Sequence, residues 1–232
     1  MKRRTKALLL SFSAVLLVVA SVLGTMAYLT DKDAVTNTFT VGQVNLNLDE
    51  ADVKTDGSYE NGHDTRVEEN EYHLLPGHTY YKDPTVTVTK GSEDAYVRMI
   101  VQVDNIDQLK AALPDTDYCA GDVFLLEKLC VDENGEGTWD PTKWNMYGYT
   151  QSQDGKTGYY EFRYYEVVKQ DSTKNTVLPD LFTHITVPGT VDNTHLANLK
   201  DVKITVTAHA IQADGFDTAD KAWGAFDDQM KT

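Results

Sequence analysis

The stretch YVRMIVQV, residues 96–103, decides how the chain is read. Val97, Met99, Val101 and Val103 fall on one side of an extended strand, and Arg98 and Gln102 fall on the other. Strict period-two alternation, rich in β-branched residues, is the pattern of a half-buried antiparallel strand. The same parity recurs outward in both directions. VNLNLDE (44–50) sets Val44, Leu46 and Leu48 against Asn45 and Asn47, and TVTVTK (85–90) sets Val86 and Val88 against threonines. GYYEFRYYEVV (158–168) alternates through a dense aromatic run, and LFTHITVP (181–188) adds a short segment. VKITVTAHAIQA (202–213) buries Val202, Ile204, Val206, Ala208 and Ala210 by parity and places His209 on the outer face as a solvated or lightly packed ring. Asn134-Gly135 and Asp154-Gly155 mark turns. The expected fold is mainly β, an antiparallel β-sandwich of jelly-roll or immunoglobulin-like type.

Two stretches switch to helical spacing. DNIDQLKAAL (104–113) carries Ile106, Leu109 and Leu113 and stops at Pro114. DGFDTADKAWGAFDDQ (214–229) carries Phe216, Ala219, Trp223 and Phe226, with Asp217 as the expected N-cap of a short C-terminal helix. Residues from about 104 to 158 therefore read as a helical and loop insertion within a single domain spanning 28–232.

The first 27 residues differ in kind. Lys2, Arg3, Arg4 and Lys6 precede an apolar run from Ala7 to about Leu23, and Thr25-Met26-Ala27 supplies small residues before a cleavage site between Ala27 and Tyr28. This is the layout of a secretory signal peptide, so secretion is expected. The run is also close to the roughly 18 residues a membrane span needs, which makes an uncleaved anchor the alternative and the only expected membrane contact. Cleavage removes four of the 21 basic residues and leaves 17 against 36 acidic ones, a formal charge of −19. Such a surface repels phosphate backbones, so no nucleic-acid partner is expected. In an exported chain Cys119 and Cys130 form a possible disulfide, with two buried free thiols as the other reading.

Motifs for chemistry are scarce. The histidines at 63, 73, 78, 184, 195 and 209 include no H-E-x-x-H. DENGEGTWDPTK (132–143) begins like a calcium loop, but Lys143 stands where the bidentate glutamate belongs. Gly-Lys-Thr at 155–157 lacks P-loop spacing and lies between strand-like runs. No catalytic residue, cofactor or metal site is expected.

The segment GTMAYLTD (24–31), followed by FTVGQVNLNLDE (39–50), resembles the TasA/camelysin family of Gram-positive exported proteins, whose leaders are processed by a SipW-type signal peptidase. LLPGHTYYKDPTVTVTKGSEDAYVRMIV (74–101) is similar to that family's Pro-Gly turn and S-x-x-x-YVR strand, here Pro76, Gly77, Ser92, Tyr96, Val97 and Arg98. The end, ITVTAHAIQADGFDTADKAWGAF (204–226), resembles clostridial members. The resemblance implies a sandwich fold and a role in biofilm matrix fibres. In such fibres the freed N-terminus of one subunit adds as a strand to itself in another copy or to a related matrix subunit. Residues 28–41 suit this role physically, being Thr-rich with Leu29, Val35, Phe39 and Val41 as sparse apolar anchors. Folding back as the first strand of their own sandwich is the alternative. Camelysins are described as metallopeptidases, but their ligands do not map here residue by residue. A secreted metallopeptidase built on His73, His78, His184 or acidic residues is one other function. A cell-surface binding module using Tyr159, Tyr160, Phe162, Tyr164 and Tyr165 is another.

Overall fold

The longest strand pairing joins β5 (Ala95–Asp104) to β11 (Lys203–Gln212), antiparallel over the full length of both. The structure, a computed structural model, describes residues 43–59, 64–112, 130–131, 139–169, 171–199 and 201–230. The fold is mainly β and antiparallel, in a sandwich-like arrangement. β8 (Thr157–Tyr164) flanks β5 on its other side and β7 (Trp144–Gln151) flanks β8, giving the sheet order β11-β5-β8-β7. A second sheet runs β2-β1-β4-β9, from β1 (Leu46–Ala51), β2 (Arg66–Val67), β4 (Thr85–Val88) and β9 (Thr176–Val177). A small third sheet joins β3 (Thr79–Tyr81), β10 (His184–Thr186) and β6 (Cys130–Val131).

Parity sorts the side chains as the alternation requires. Val97, Met99, Val101 and Val103 of β5, and Tyr160 and Phe162 of β8, are fully buried. They share one core with Val86 and Val88 of β4, Tyr80 of β3 and Trp144 of β7. Burying a large apolar side chain stabilises by about 1.5–3 kcal/mol, so this cluster carries the fold. The Trp144 indole N–H is satisfied by the Pro179 carbonyl at 2.9 Å.

Three helices lie among the described residues: α1 (Ile106–Ala112), α2 (Asn193–Leu199) and α3 (Ala219–Met230). Ile106, Leu109 and Ala112 turn inward from α1. The Ile106 Cδ1 would sit 2.6 Å from a Cβ at position 158, so only Gly158 lets the helix lie this close to β8. The cap of α3 is Thr218 rather than Asp217. The Thr218 carbonyl accepts from Ala222 N–H at 3.2 Å and its hydroxyl accepts from Lys221 N–H at 3.4 Å. Asp217 instead pairs with the Lys221 ammonium at 2.5 Å.

Within 104–158, expected as an insertion, described residues contribute strands to the sheets. Residues 144–151 form β7, and Cys130–Val131 pair with β10. A bulge between Met146 and Gly148 breaks the register of β7, which is why period-two alternation does not show there.

Candidate functional site

On β5 the inward side chains at 97, 99, 101 and 103 are at most 1% exposed. Their cross-strand partners on β11, Ala210, Ala208, Val206 and Ile204, point into the same face but remain only half-buried. Adjacent strands of one sheet thus differ in cover, because β5 lies between β11 and β8 whereas β11 has no strand on its far side among the described residues.

The backbone of that free edge follows from the register. Ala213 N–H donates to Asp94 carbonyl at 2.7 Å, which turns odd-numbered amides toward β5. Alternation then turns the N–H and C=O of Ile204, Val206, Ala208 and Ala210 outward. A second edge faces it. Asn45 O accepts from Thr89 N–H at 2.9 Å on the β4 side, so the even-numbered groups of β1 point away from β4. β2 meets only Glu50 and Ala51, leaving the edge at Leu46 and Leu48 without a paired strand among the described residues.

The start of β1 and the end of β11 converge, because Gln43 O accepts from Glu93 N–H at 3.1 Å beside the Ala213–Asp94 bond. From there the two strands diverge. Between Leu48–Glu50 on one side and Val202–Val206 on the other lies a cleft of about 840 Å³. Tyr80, Leu109, Ile185, Leu196 and Leu199 give it apolar walls, and Glu68, Glu69 and Glu71 make one rim acidic. An apolar trough beside unpaired backbone is the geometry that accepts an extended segment, whose main chain bonds to the edge while alternate side chains fill the trough.

Asp49, Glu50 and Lys82 of the lining are tied into charged groups, part of which lies behind the cleft. Arg66 donates to Asp49 at 2.8 Å, to Asp83 at 2.5 Å and to the Thr85 hydroxyl at 2.8 Å. Burial alone would lower the Arg66 pKa, but the hydrogen bonds and charges of Asp83 and Asp49 outweigh it and raise it. Asp83 also accepts Ala51 N–H at 2.7 Å, fixing the end of β1. Nearby, Lys82 is ion-paired with Glu50, and Asn70 donates to the other Glu50 oxygen at 2.9 Å. Burial first, and then the negative charges of Glu50 and Asp83, push the Tyr72 phenol up. Burial pushes the Cys130 thiol up to about 12, against the opposing pull of Lys82.

Of the residues expected to matter, Ala27, Tyr28, Leu29, Val35, Phe39, Val41 and Cys119 lie outside the described residues. Cys130 is a free, buried thiol on β6. His73 lines the cleft and His78 packs beside the Tyr80 ring. Among the described residues no three His, Cys, Asp or Glu side chains converge as a metal site.

His209 is on the outer face, as parity places it, and is half-buried there. α3 covers it, with Phe226 5.0 Å from its ring and Arg98 Nε 3.3 Å from Nδ1. Arg98 lies over the rings of both Trp223 and Phe226 and donates to Asp227 at 2.6 Å. The aromatic run splits: Tyr160 and Phe162 are core, Tyr159 and Tyr164 are half-buried, and Tyr165 is 60% exposed. The bulge in β7 turns Tyr147 outward over the Arg163 guanidinium, beside a hollow of about 250 Å³.

Neither the free edge nor the Glu50–Asn70–Lys82 group is expected from sequence. Parity shows which face a side chain takes, not what stands opposite it, and the three residues are brought together only by strand registers.

Among the described residues no helix is long and apolar enough to cross a membrane. No protein-family model, curated protein or solved structure matches the chain.

Proposed function

We propose that this chain is a secreted structural protein of the extracellular matrix or cell surface that assembles by strand addition. Residues 28–41, freed by cleavage after Ala27, add to the β11 edge of another copy or of a related matrix subunit. The observation that supports this reading is the half-buried Ile204 and Val206 beside the cleft, opposite the fully buried Val103 and Val101. A strand laid along β11 pairs the outward amides of Ile204 and Val206 and covers their side chains, which supplies both direction and driving force. The resemblance of the leader and of the 74–101 segment to the TasA/camelysin family favours the same role. Release of the strand by cleavage ties assembly to export.

The test compares chains beginning at Tyr28 and at Gly42 by sedimentation and electron microscopy, at equal concentration and pH. Fibres from the first and folded monomers from the second are expected, in the presence or absence of chelator. Monomers from both, or fibres from both, overturn the reading.

A further inference from the structure

The Lys82 ammonium and the Asn70 amide are held against the two oxygens of one buried carboxylate. Glu50 is 5% exposed and Lys82 9%. Lys82 Nζ bonds Glu50 Oε2, and Asn70 Nδ2 donates to Glu50 Oε1 at 2.9 Å. The orientation of the amide is fixed by its other bonds: Nδ2 donates to Ala51 O at 2.8 Å, and Oδ1 accepts Val53 N–H at 3.0 Å. The Tyr72 ring covers Lys82, 5.9 Å from Nζ. An amine, a proton carrier, an amide and an N–H aimed at the amide oxygen are the parts that acyl transfer needs.

We propose that Lys82 and Asn70 form an intramolecular isopeptide bond, with Glu50 as the proton carrier. The proton passes from Lys82 Nζ to the Glu50 carboxylate along their hydrogen bond. The neutral amine attacks Asn70 Cγ, forming the new C–N bond, and the charge that develops on Oδ1 is stabilised by Val53 N–H. Glu50 returns its proton to Nδ2, the Cγ–Nδ2 bond breaks, and ammonia leaves through the cleft that Glu50, Asn70 and Lys82 line. The amine's remaining surplus proton leaves with the ammonia, so one amide and one ammonium become one substituted amide and one ammonium ion. No oxidant, nucleotide or metal is consumed. Holding the partners on one buried carboxylate supplies the proximity that makes a slow exchange occur once, on folding. The product closes the chain between positions 70 and 82, which carries Tyr72, His73 and Leu74 of the cleft wall. It stands independently of strand addition.

The experiment is intact mass measurement of the full chain, folded and then denatured, followed by peptide mapping. The expected result is a mass short of the sequence by one ammonia and a branched peptide joining residues 70 and 82. Glu50→Gln and Lys82→Arg chains, each shown folded by circular dichroism, are expected to keep the full mass and give only linear peptides. An unmodified mass in the unaltered chain overturns the proposal. So does ammonia loss that maps elsewhere, such as to an Asn-Gly pair, and a branch persisting in folded Glu50→Gln removes Glu50 from the step.

Discussion

The two faces of β11 are finished differently. On the outer face one of its polar residues, His209, is partly covered by α3, with Arg98 against the rings of Trp223 and Phe226 and paired to Asp227. On the inner face its apolar residues, Ile204 and Val206, border an open cleft. Hydrophobic burial alone would cover the apolar face first. A helix is instead placed over the polar face, and the apolar face borders an edge with no paired strand among the described residues. The outer face of this strand packs against α3; the inner face packs on the core with partial cover, and in the proposed reading it receives the added strand.

Breaking the covered face has the largest expected effect. Trp223 is 1% exposed, and Trp223→Ala removes its packing and the ring over Arg98. A loss of about 3–5 kcal/mol of unfolding free energy is expected in urea titration. A loss below about 1 kcal/mol would show that α3 contributes little to the fold. Asp83→Ala leaves Ala51 N–H and Arg66 without their shared acceptor beside the cleft. It is expected to cost about 3 kcal/mol, read in the same titration, with Asp83→Asn recovering part of it.

The open face should respond mainly in assembly rather than in stability. Ile204→Asp is expected to lower monomer stability by about 1–2 kcal/mol, less than Trp223→Ala, because the side chain is only partly covered. It should nevertheless abolish fibre formation by the chain beginning at Tyr28. Full assembly by this variant would place the assembly surface elsewhere.

The smallest effect is the pH response of the covered face. Burial, then the charge of Arg98, lowers the His209 pKa from its ordinary value of 6.5, against the opposing carboxylates of Asp227 and Glu161. The folded chain therefore binds that proton less readily than the unfolded one. The stabilisation from neutral His209 is present above pH about 6.5 and is lost as pH falls through the lowered value. Thermal melts between pH 7 and 5 should show a decline that His209→Gln reduces; an unchanged decline would assign it to other groups.

Much of this contrast was legible in the sequence, and part was not. The alternation of 96–103 and 202–213 marks both strands and the inward set of each, and the spacing of Trp223 and Phe226 marks α3. Period two is a local property of a chain, so it survives translation into structure wherever the ladder is regular. It fails at β7, where the bulge at Met146–Gly148 shifts the phase and Tyr147 leaves the pattern. It is silent on cover. Val101 and Val206 read alike and pair across the sheet, yet among the described residues only Val101 has neighbouring strands on both sides. Glu50, Asn70 and Lys82 read as ordinary surface polar residues, because their meeting depends on the β1–β2 and β1–β4 registers and on the loop that returns through β3.

The most direct measurement is amide hydrogen exchange at Ile204, Val206, Ala208 and Ala210 in the chain beginning at Gly42, with and without a synthetic peptide of residues 28–41. Strand addition predicts fast exchange at these outward amides in the free chain, slow exchange when the peptide is bound, and no change at their β5 partners. Amides already protected in the free chain, or unaffected by a peptide that binds, would contradict the assignment of β11 as the receiving edge.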